Sequence, residues 1–326
     1  MNLGGTVHIN KTGCCVLFGA VIILFVYMFS NKHVQTETIT SNQINLRKLL
    51  SVAIKAAEYG GKEVVAIRNN LIIENKGKTK EGANDSVTTA DFKSHCVMVN
   101  RLKHSFPSLT VISEESKTIC DNDKYSDFND SESLDKNLSD EWIDHKDIKV
   151  WIDPLDATQE YTEKLYKYVT TMVCVAVRGQ PVIGVIHKPF DEETSWAWVG
   201  KGQSSNFKEP KESAKDGLKF IVSRSHPGAA RNVIEEAFKG QKLDIIFAGG
   251  AGYKALELVN GNVDAYIHIT AIKKWDICAG NAIINALGGR MTTRSNEEID
   301  YSDLDNPVNG DGIIAALKNH KDYLKL

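Results

Sequence analysis

The sequence predicts a layered α/β domain behind one N-terminal apolar segment long enough to cross a membrane. Three observations predict it. From Phe220 onward, short β-rich runs alternate with helical apolar spacing, the pattern of helices packed on a sheet. Between 149 and 199, four strand-like runs follow one another, the middle pair joined by the turn signal Gly179-Gln180-Pro181. Residues 14–29 read CCVLFGAVIILFVYMF, without a charge or a proline. Composition agrees: 326 residues, 42% hydrophobic and 25% charged, exclude a disordered chain and a multi-span membrane protein. Lys+Arg is 39 against Asp+Glu 42, a net charge of −3, which argues against a nucleic-acid partner. Six cysteines in this length are not a disulfide scaffold.

With Gly13 and Ser30 the apolar run matches a bilayer core at ~1.5 Å per residue. It has no polar face, which argues against a buried helix. Its exit, Tyr27-Met28-Phe29-Ser30-Asn31, offers no small-x-small site. Residues 13–30 therefore read as a signal anchor, with a cleaved signal peptide as the alternative. A short tail (1–12) before a large body favours type II topology, with the tail cytosolic and the body lumenal. Lys11 and Lys32 flank the span and orient it weakly. Residues 31–42 read as a polar stem.

Helical spacing covers 44–67 with an interruption at Gly60-Gly61, and 89–106 up to Pro107; 110–112 is a short strand. The acidic stretch 121–147 reads as a solvated insertion loop, with Asn129 and Asn137 as candidate glycan sites. Strands follow at 149–152, 169–178, 182–187 and 195–199, and 200–217 is a polar link. Then come strands at 220–222, 245–247 and 265–269 and near Met291 and Ile313, with helices after Pro227 and over 254–259 and 277–287. This divides the body into an N-terminal half, 43–203, and a C-terminal half, 204–326. Cys174 and Cys278 read as buried small apolar residues, whereas Cys96 and Cys120 could pair in an oxidising lumen.

Four acidic islands stand at the ends of elements: Asp91, Glu114-Glu115, Asp153-Pro154-Leu155-Asp156 and Asp276. Pro154 biases Asp153 to extended backbone before the chain turns, so both carboxylates can face one point with the Leu155 carbonyl between them. Oxygen-only ligands suit Mg²⁺, and no Cys/His cluster with zinc spacing competes. The ordinary alternative for each island alone is a turn or a helix cap.

Taken together, D…EE…DPLDAT…WD resembles the inositol monophosphatase superfamily of Mg²⁺-dependent, lithium-sensitive phosphatases, from about Leu46 to the C-terminus. The resemblance implies an αβαβα sandwich of the sugar-phosphatase type with two or three Mg²⁺ per site. Carried over residue by residue, Glu114, Asp153 and the Leu155 carbonyl would hold one ion, and Asp153, Asp156 and Asp276 a second. Asp91 and Thr158 would form the catalytic dyad that orients and deprotonates a water, and backbone amides near Ala157 and Thr158 would help hold the phosphate. The strings VWIDPLDATQEYT (150–162), GGAGYK (249–254) and KKWDICAGN (273–281) are closer to the membrane-anchored Golgi nucleotidase branch. That implies a type II Golgi membrane enzyme. It would remove the 3′-phosphate of 3′-phosphoadenosine 5′-phosphate, giving AMP and phosphate and supporting sulfation. Ser223, His226, Gly250 and Lys254 would contact this small-molecule nucleotide, the glycine turn and the lysine suiting a phosphate. Ala157 stands where inositol phosphatases usually have glycine, which speaks against an inositol phosphate. The alternatives are an inositol phosphatase and an inactive anchored nucleotide-binding protein; a homo-oligomer is compatible with the sequence.

Overall fold

A computed structural model of the chain describes residues 42–78, 84–116, 119–120, 138–207 and 217–326, all within the unit Asn42–Leu326. The expected tail, the signal anchor 13–30 and the stem up to residue 41 lie outside the described residues, as do Asn129 and Asn137. Among the described residues no helix is long and apolar enough to cross a membrane.

The described chain opens with β1 (Gln43–Asn45) and α1 (Leu46–Ile67). Asn45 caps α1, accepting from the Lys48 amide at 3.0 Å. Apolar residues three and four apart bury Leu46, Leu49, Leu50, Ala53, Ala57 and Val64 along the helix. Gly60-Gly61 does not interrupt it, against the expectation from sequence. After the hairpin β2 (Ile73–Lys78) and β3 (Asn84–Thr88) comes α2 (Thr89–Ser105), which packs on α1. A Cβ at Gly60 would lie 2.6 Å from Ser94 Oγ of α2, and one at Gly61 2.5 Å from the His187 ring. The glycines are points of close approach, not helix breaks.

Beyond β4 (Thr110–Ser113), the acidic stretch is not a loop throughout. Residues 121–137 lie outside the described residues, but β5 (Trp142–Asp144) pairs antiparallel with β1. Trp142 and Ile143 break the acidic run and supply residues that suit a strand. Next come β6 (Ile148–Asp156), the single-turn helix α3 (Thr158–Thr162), β7 (Thr170–Val177), β8 (Gln180–Lys188), β9 (Glu193–Trp198) and β10 (Gly202–Gln203). They form a six-stranded sheet, β10-β9-β8-β7-β6-β4, in which β4 and β6 run parallel and the other pairs antiparallel. Its central strands β6, β7 and β8 are largely buried on both faces. Val150, Ile152, Val173 and Val175 pack with α1 and α2, while Trp151, Met172 and Cys174 face the opposite way.

The remaining elements are β11 (Leu218–Ser223), α4 (Ala230–Ala237), β12 (Leu243–Ala248), α5 (Ala251–Val259), β13 (Ala265–His268), β14 (Ile272–Lys273), α6 (Lys274–Ala286), β15 (Arg290–Thr292), β16 (Val308–Asn309) and β17 (Ile313–Ala316). The second sheet has the order β12-β11-β13-β17-β15. Residues of α5 and α6 share one core with Trp151, Met172 and Cys174 of the first sheet and Ile221, Tyr266 and Ala315 of the second. On the far face, Phe220, Val222 and Ile267 pack with Ile234 of α4 and Tyr323. The layers therefore run α1/α2, sheet, α5/α6, sheet, α4: an αβαβα sandwich.

Two disulfides link described residues. Cys96–Cys120 ties α2 to the segment beyond Glu114. Cys174–Cys278 ties β7 to α6, with 5.6 Å between the Cα atoms, and corrects the expectation that these two are merely buried apolar residues. Both lie on the sandwich's middle core, 104 residues apart in sequence. Removing a cross-link of that span costs about 2–5 kcal/mol. Cys174→Ala with Cys278→Ala should therefore lower the Tm of the oxidised protein by several degrees, read by differential scanning calorimetry. An unchanged Tm would show that the bridge does not stabilise the fold.

Candidate active site

The site starts from a pairing irregularity in β6. In a regular strand, residues three apart face opposite sides, so Asp153 and Asp156 would diverge. Between them the register with β7 shifts: Asp153 stands opposite Met172 and Asp156 opposite Thr170. The extra residue lies in Pro154-Leu155, where proline has no amide to give the ladder. This bulge restores a common side for both carboxylates. Ser94 Oγ pins it by donating to the Pro154 carbonyl at 2.6 Å, and the Leu155 amide donates to Asp153 Oδ1 at 3.1 Å. Glu114 follows β4, the parallel neighbour of β6. Asp276 sits in the first turn of α6, accepting from the Lys273 amide at 3.2 Å. These residues line one cavity of about 810 Å³ together with Leu155, Thr158, Ser223, His226, Gly250 and Lys254.

Asp91 is 1% exposed and reaches the cavity through Thr158. Its Oδ2 accepts from the amide and the hydroxyl of Thr88, both at 2.7 Å, and its Oδ1 faces Thr158 Oγ1 at 3.0 Å. The Leu155 carbonyl is 3.1 Å from the same hydroxyl, which has one proton to give. Thr158 does not cap α3. The cap position is Ala157, held in the left-handed region at φ 71°, ψ 44°.

Two amides of the glycine turn hold a carboxylate. Ala251 N and Gly252 N donate to Asp156 at 3.0 and 2.8 Å, and Thr170 Oγ1 adds a third bond at 3.1 Å. Gly250, at φ +65°, allows this approach: a Cβ there would lie 2.4 Å from the Tyr168 carbonyl. Lys254 is buried, its ammonium donating to the Gly250 carbonyl and, at 3.4 Å, to that of Ala248. Ser223 Oγ accepts from the His226 amide at 3.0 Å and closes its own turn. Glu160, Tyr266, His268 and Lys273 line the cavity without having been expected there. Tyr266 and His268, two apart in an otherwise apolar strand, carried a legible signal: polar groups on one face.

Crowded, buried acids resist ionisation. Burial, then the Glu114, Asp156, Asp276 and Asp91 charges, push Asp153 well above the carboxylate range. Burial, then Asp156, pushes Asp276 from 3.8 to about 7. Burial pushes Asp91 up to about 6, and it pulls Lys254 down to about 8. Among the described residues no group of three or more His, Cys, Asp or Glu is arranged to hold an ion. The donors nevertheless fit Mg²⁺, which takes one or two carboxylates with carbonyls, waters and substrate phosphate. Asp156 keeps one lone pair free on Oδ1, and the Leu155 carbonyl lines the cavity.

Residues 45–325 match the model of the inositol monophosphatase family. The chain belongs to that family. It is therefore a phosphoric monoester hydrolase. Among its inositol monophosphatase relatives, inositol monophosphatase 3 of Danio rerio is 49% identical over 293 residues, 86% of this chain and 84% of that protein. The Golgi-resident adenosine 3′,5′-bisphosphate 3′-phosphatase of Rattus norvegicus is 47% identical over 289 residues, 85% of this chain and 80% of that protein. The fold is shared with CysQ of Bacteroides thetaiotaomicron, a bacterial member of the family. The two superpose with a TM-score of 0.62 at 22% identity, over 84% of this chain and 98% of that one.

The raised acids of this site predict a pH dependence. Between about pH 4 and about pH 7, folded Asp276 holds a proton that the unfolded chain has released. Without metal, stability contributed by this site is thus present at the acid end and lost as pH rises through the window. A bound dication replaces the proton. Mg²⁺ should therefore raise Tm more at the upper end than at the lower, against a chelator control; equal increments would contradict the carboxylate assignment.

Proposed function

We propose that the chain is a Mg²⁺-dependent 3′-nucleotidase converting 3′-phosphoadenosine 5′-phosphate and water to AMP and phosphate in the Golgi lumen. One observation carries the reading: the carboxylates around the β6 bulge and the turns at Ser223–His226 and Gly250–Lys254 line the same cavity. At about 810 Å³ it is of a size for a nucleotide. The name of the rat relative agrees with that substrate. Two disulfides among the described residues suit an oxidising compartment, and residues 13–30 would anchor the body there as a type II protein.

In this reading Glu114, Asp153 and the Leu155 carbonyl would hold one Mg²⁺, and Asp153, Asp156 and Asp276 would hold a second. When bound, the ions supply Lewis-acid stabilisation of charge on the phosphoryl oxygens. Thr158 donates to Asp91 and has lone pairs left to accept from the attacking water. Asp91, at about 6, is a stronger base than an ordinary carboxylate and takes up the proton delivered through Thr158. The water oxygen bonds to phosphorus as the P–O3′ bond breaks; the 3′-oxygen takes a proton from solvent water and leaves as a hydroxyl, and Asp91 later returns its proton to solvent.

Inositol monophosphate is the second reading, favoured by the name of the zebrafish relative. Phosphate release with Mg²⁺ from adenosine 3′,5′-bisphosphate, AMP and inositol 1-phosphate separates the two. The bisphosphate should be the preferred substrate and AMP should persist; release from inositol 1-phosphate alone would overturn the nucleotidase reading.

Thr158→Ala should lower kcat by about 10²–10⁴-fold, the usual worth of a positioned general base. Thr158→Ser should keep most activity, and Asp91→Asn should match Thr158→Ala. Steady-state kinetics on variants of unchanged Tm decides it: a normal kcat in Thr158→Ala would remove the dyad from the mechanism.

A further inference from the structure

The residue two positions after Thr158 borders the same cavity and is almost wholly buried. Glu160, in the single turn of α3, is 1% exposed. Its Oε1 accepts from an Arg224 guanidinium nitrogen at 3.2 Å. The other terminal nitrogen of Arg224 donates to Glu163 Oε2 at 2.6 Å, and Gln159 holds the second oxygen of Glu163 at 3.1 Å. Arg224 belongs to the turn after β11, between Ser223 and His226, and its amide donates to the Ala248 carbonyl at the end of β12 at 3.0 Å. The next turn touches the same carboxylate: a Cβ at Gly249 would lie 2.5 Å from Glu160 Cδ. One side chain from the Thr158 turn therefore meets both turns expected to hold the organic part of the substrate.

We infer that the Glu160–Arg224 pair is a positioning clamp that sets the Ser223–His226 and Gly249–Lys254 turns in register with the phosphate-cleaving turn at Asp153–Thr158. This rests on the reading that those turns hold the non-phosphate part of the substrate. Neither residue is a catalytic residue. Glu160 is tied to Thr158 through α3, and Arg224 to Ser223 and His226 through their shared turn. A planar guanidinium bridging two carboxylates fixes orientation as well as distance, which a lone ammonium would not. Loss of the pair penalises a ligand that must span both sides. A ligand filling only the phosphate site is spared.

Arg224→Met and Glu160→Gln, the latter keeping the side chain's size against Gly249, test this. Each should raise KM by about tenfold, the size of one lost polar contact, with a smaller change in kcat. The inhibition constant of inorganic phosphate should move far less. Arg224→Lys should recover part of the loss, and the double variant should be little worse than either single one, because the residues act as a pair. Additive effects, an unchanged KM, or an equal shift in the phosphate constant would overturn the clamp. Kinetics are run on both adenosine 3′,5′-bisphosphate and inositol 1-phosphate. If the wild type takes only the latter, the nucleotidase reading fails, and the same KM comparison on inositol 1-phosphate still decides the clamp.

Discussion

The site depends on one inserted residue in β6. Ile152 faces the α1/α2 core while Trp151 faces the middle core. Strict alternation would send Asp153 to the middle side and Asp156 under α1 and α2, where an ionised carboxylate without partners is very costly. The bulge at Pro154-Leu155 moves Asp156 to the cavity and lets Leu155 pack with Val64, Ala90 and Tyr161. A bulge left to itself would relax. This one is gripped from one flanking layer by Ser94 of α2 and from the other by the two amides that open α5. The chemistry therefore needs three layers in place at once, and neither half of the sandwich would form it alone.

The same grip explains the electrostatics. Four of the carboxylates have fixed donors: the Leu155 amide for Asp153, three groups for Asp156, the Lys273 amide for Asp276 and Thr88 twice for Asp91. These bonds favour the charged forms, but burial, the largest influence on all four, outweighs them, and neighbouring acids add to it at Asp153 and Asp276, so the acids titrate high. The Cys174–Cys278 bridge crosses the middle core two residues beyond Asp276 and joins its helix to the strand paired with β6.

Much of this was readable in the sequence because the signals were local. The central strands of the first sheet are largely buried on both faces and so read as apolar runs; the acidic residues fell at strand and helix ends; Pro154 marked the irregularity in β6. What escaped reading was set by distant partners. Gly60-Gly61 resembles a helix break until Ser94 and His187 are seen against it. Trp142-Ile143 resembles part of an acidic loop until β1 lies beside it. The cysteines at 174 and 278 sit in apolar contexts, and only the packing of α6 on β7 brings them within bonding distance. The glycine turn suggested a phosphate cradle by composition, but the direction of its amides follows from Asp156, 95 residues away for Ala251.

The placement of the substrate side then follows from topology. From β11 the chain crosses through α4 to β12 on the outer face; from β12 it crosses through α5, on the inner face, to β13, which lies on the other side of β11. Adjacent parallel strands whose exits diverge to opposite faces leave a crevice beyond their carboxyl ends. The turns after β11 and β12 border that crevice, and they carry Ser223, His226, Gly250 and Lys254. In the first sheet, Glu114 follows the carboxyl end of β4 and the bulge lies at that of β6, and these two strands are parallel. Two sheets thus present strand ends to the same space, one with carboxylates and one with turns. Glu160 and Arg224 bridge them because α3, starting directly after the bulge, carries a side chain that meets both turns of the second.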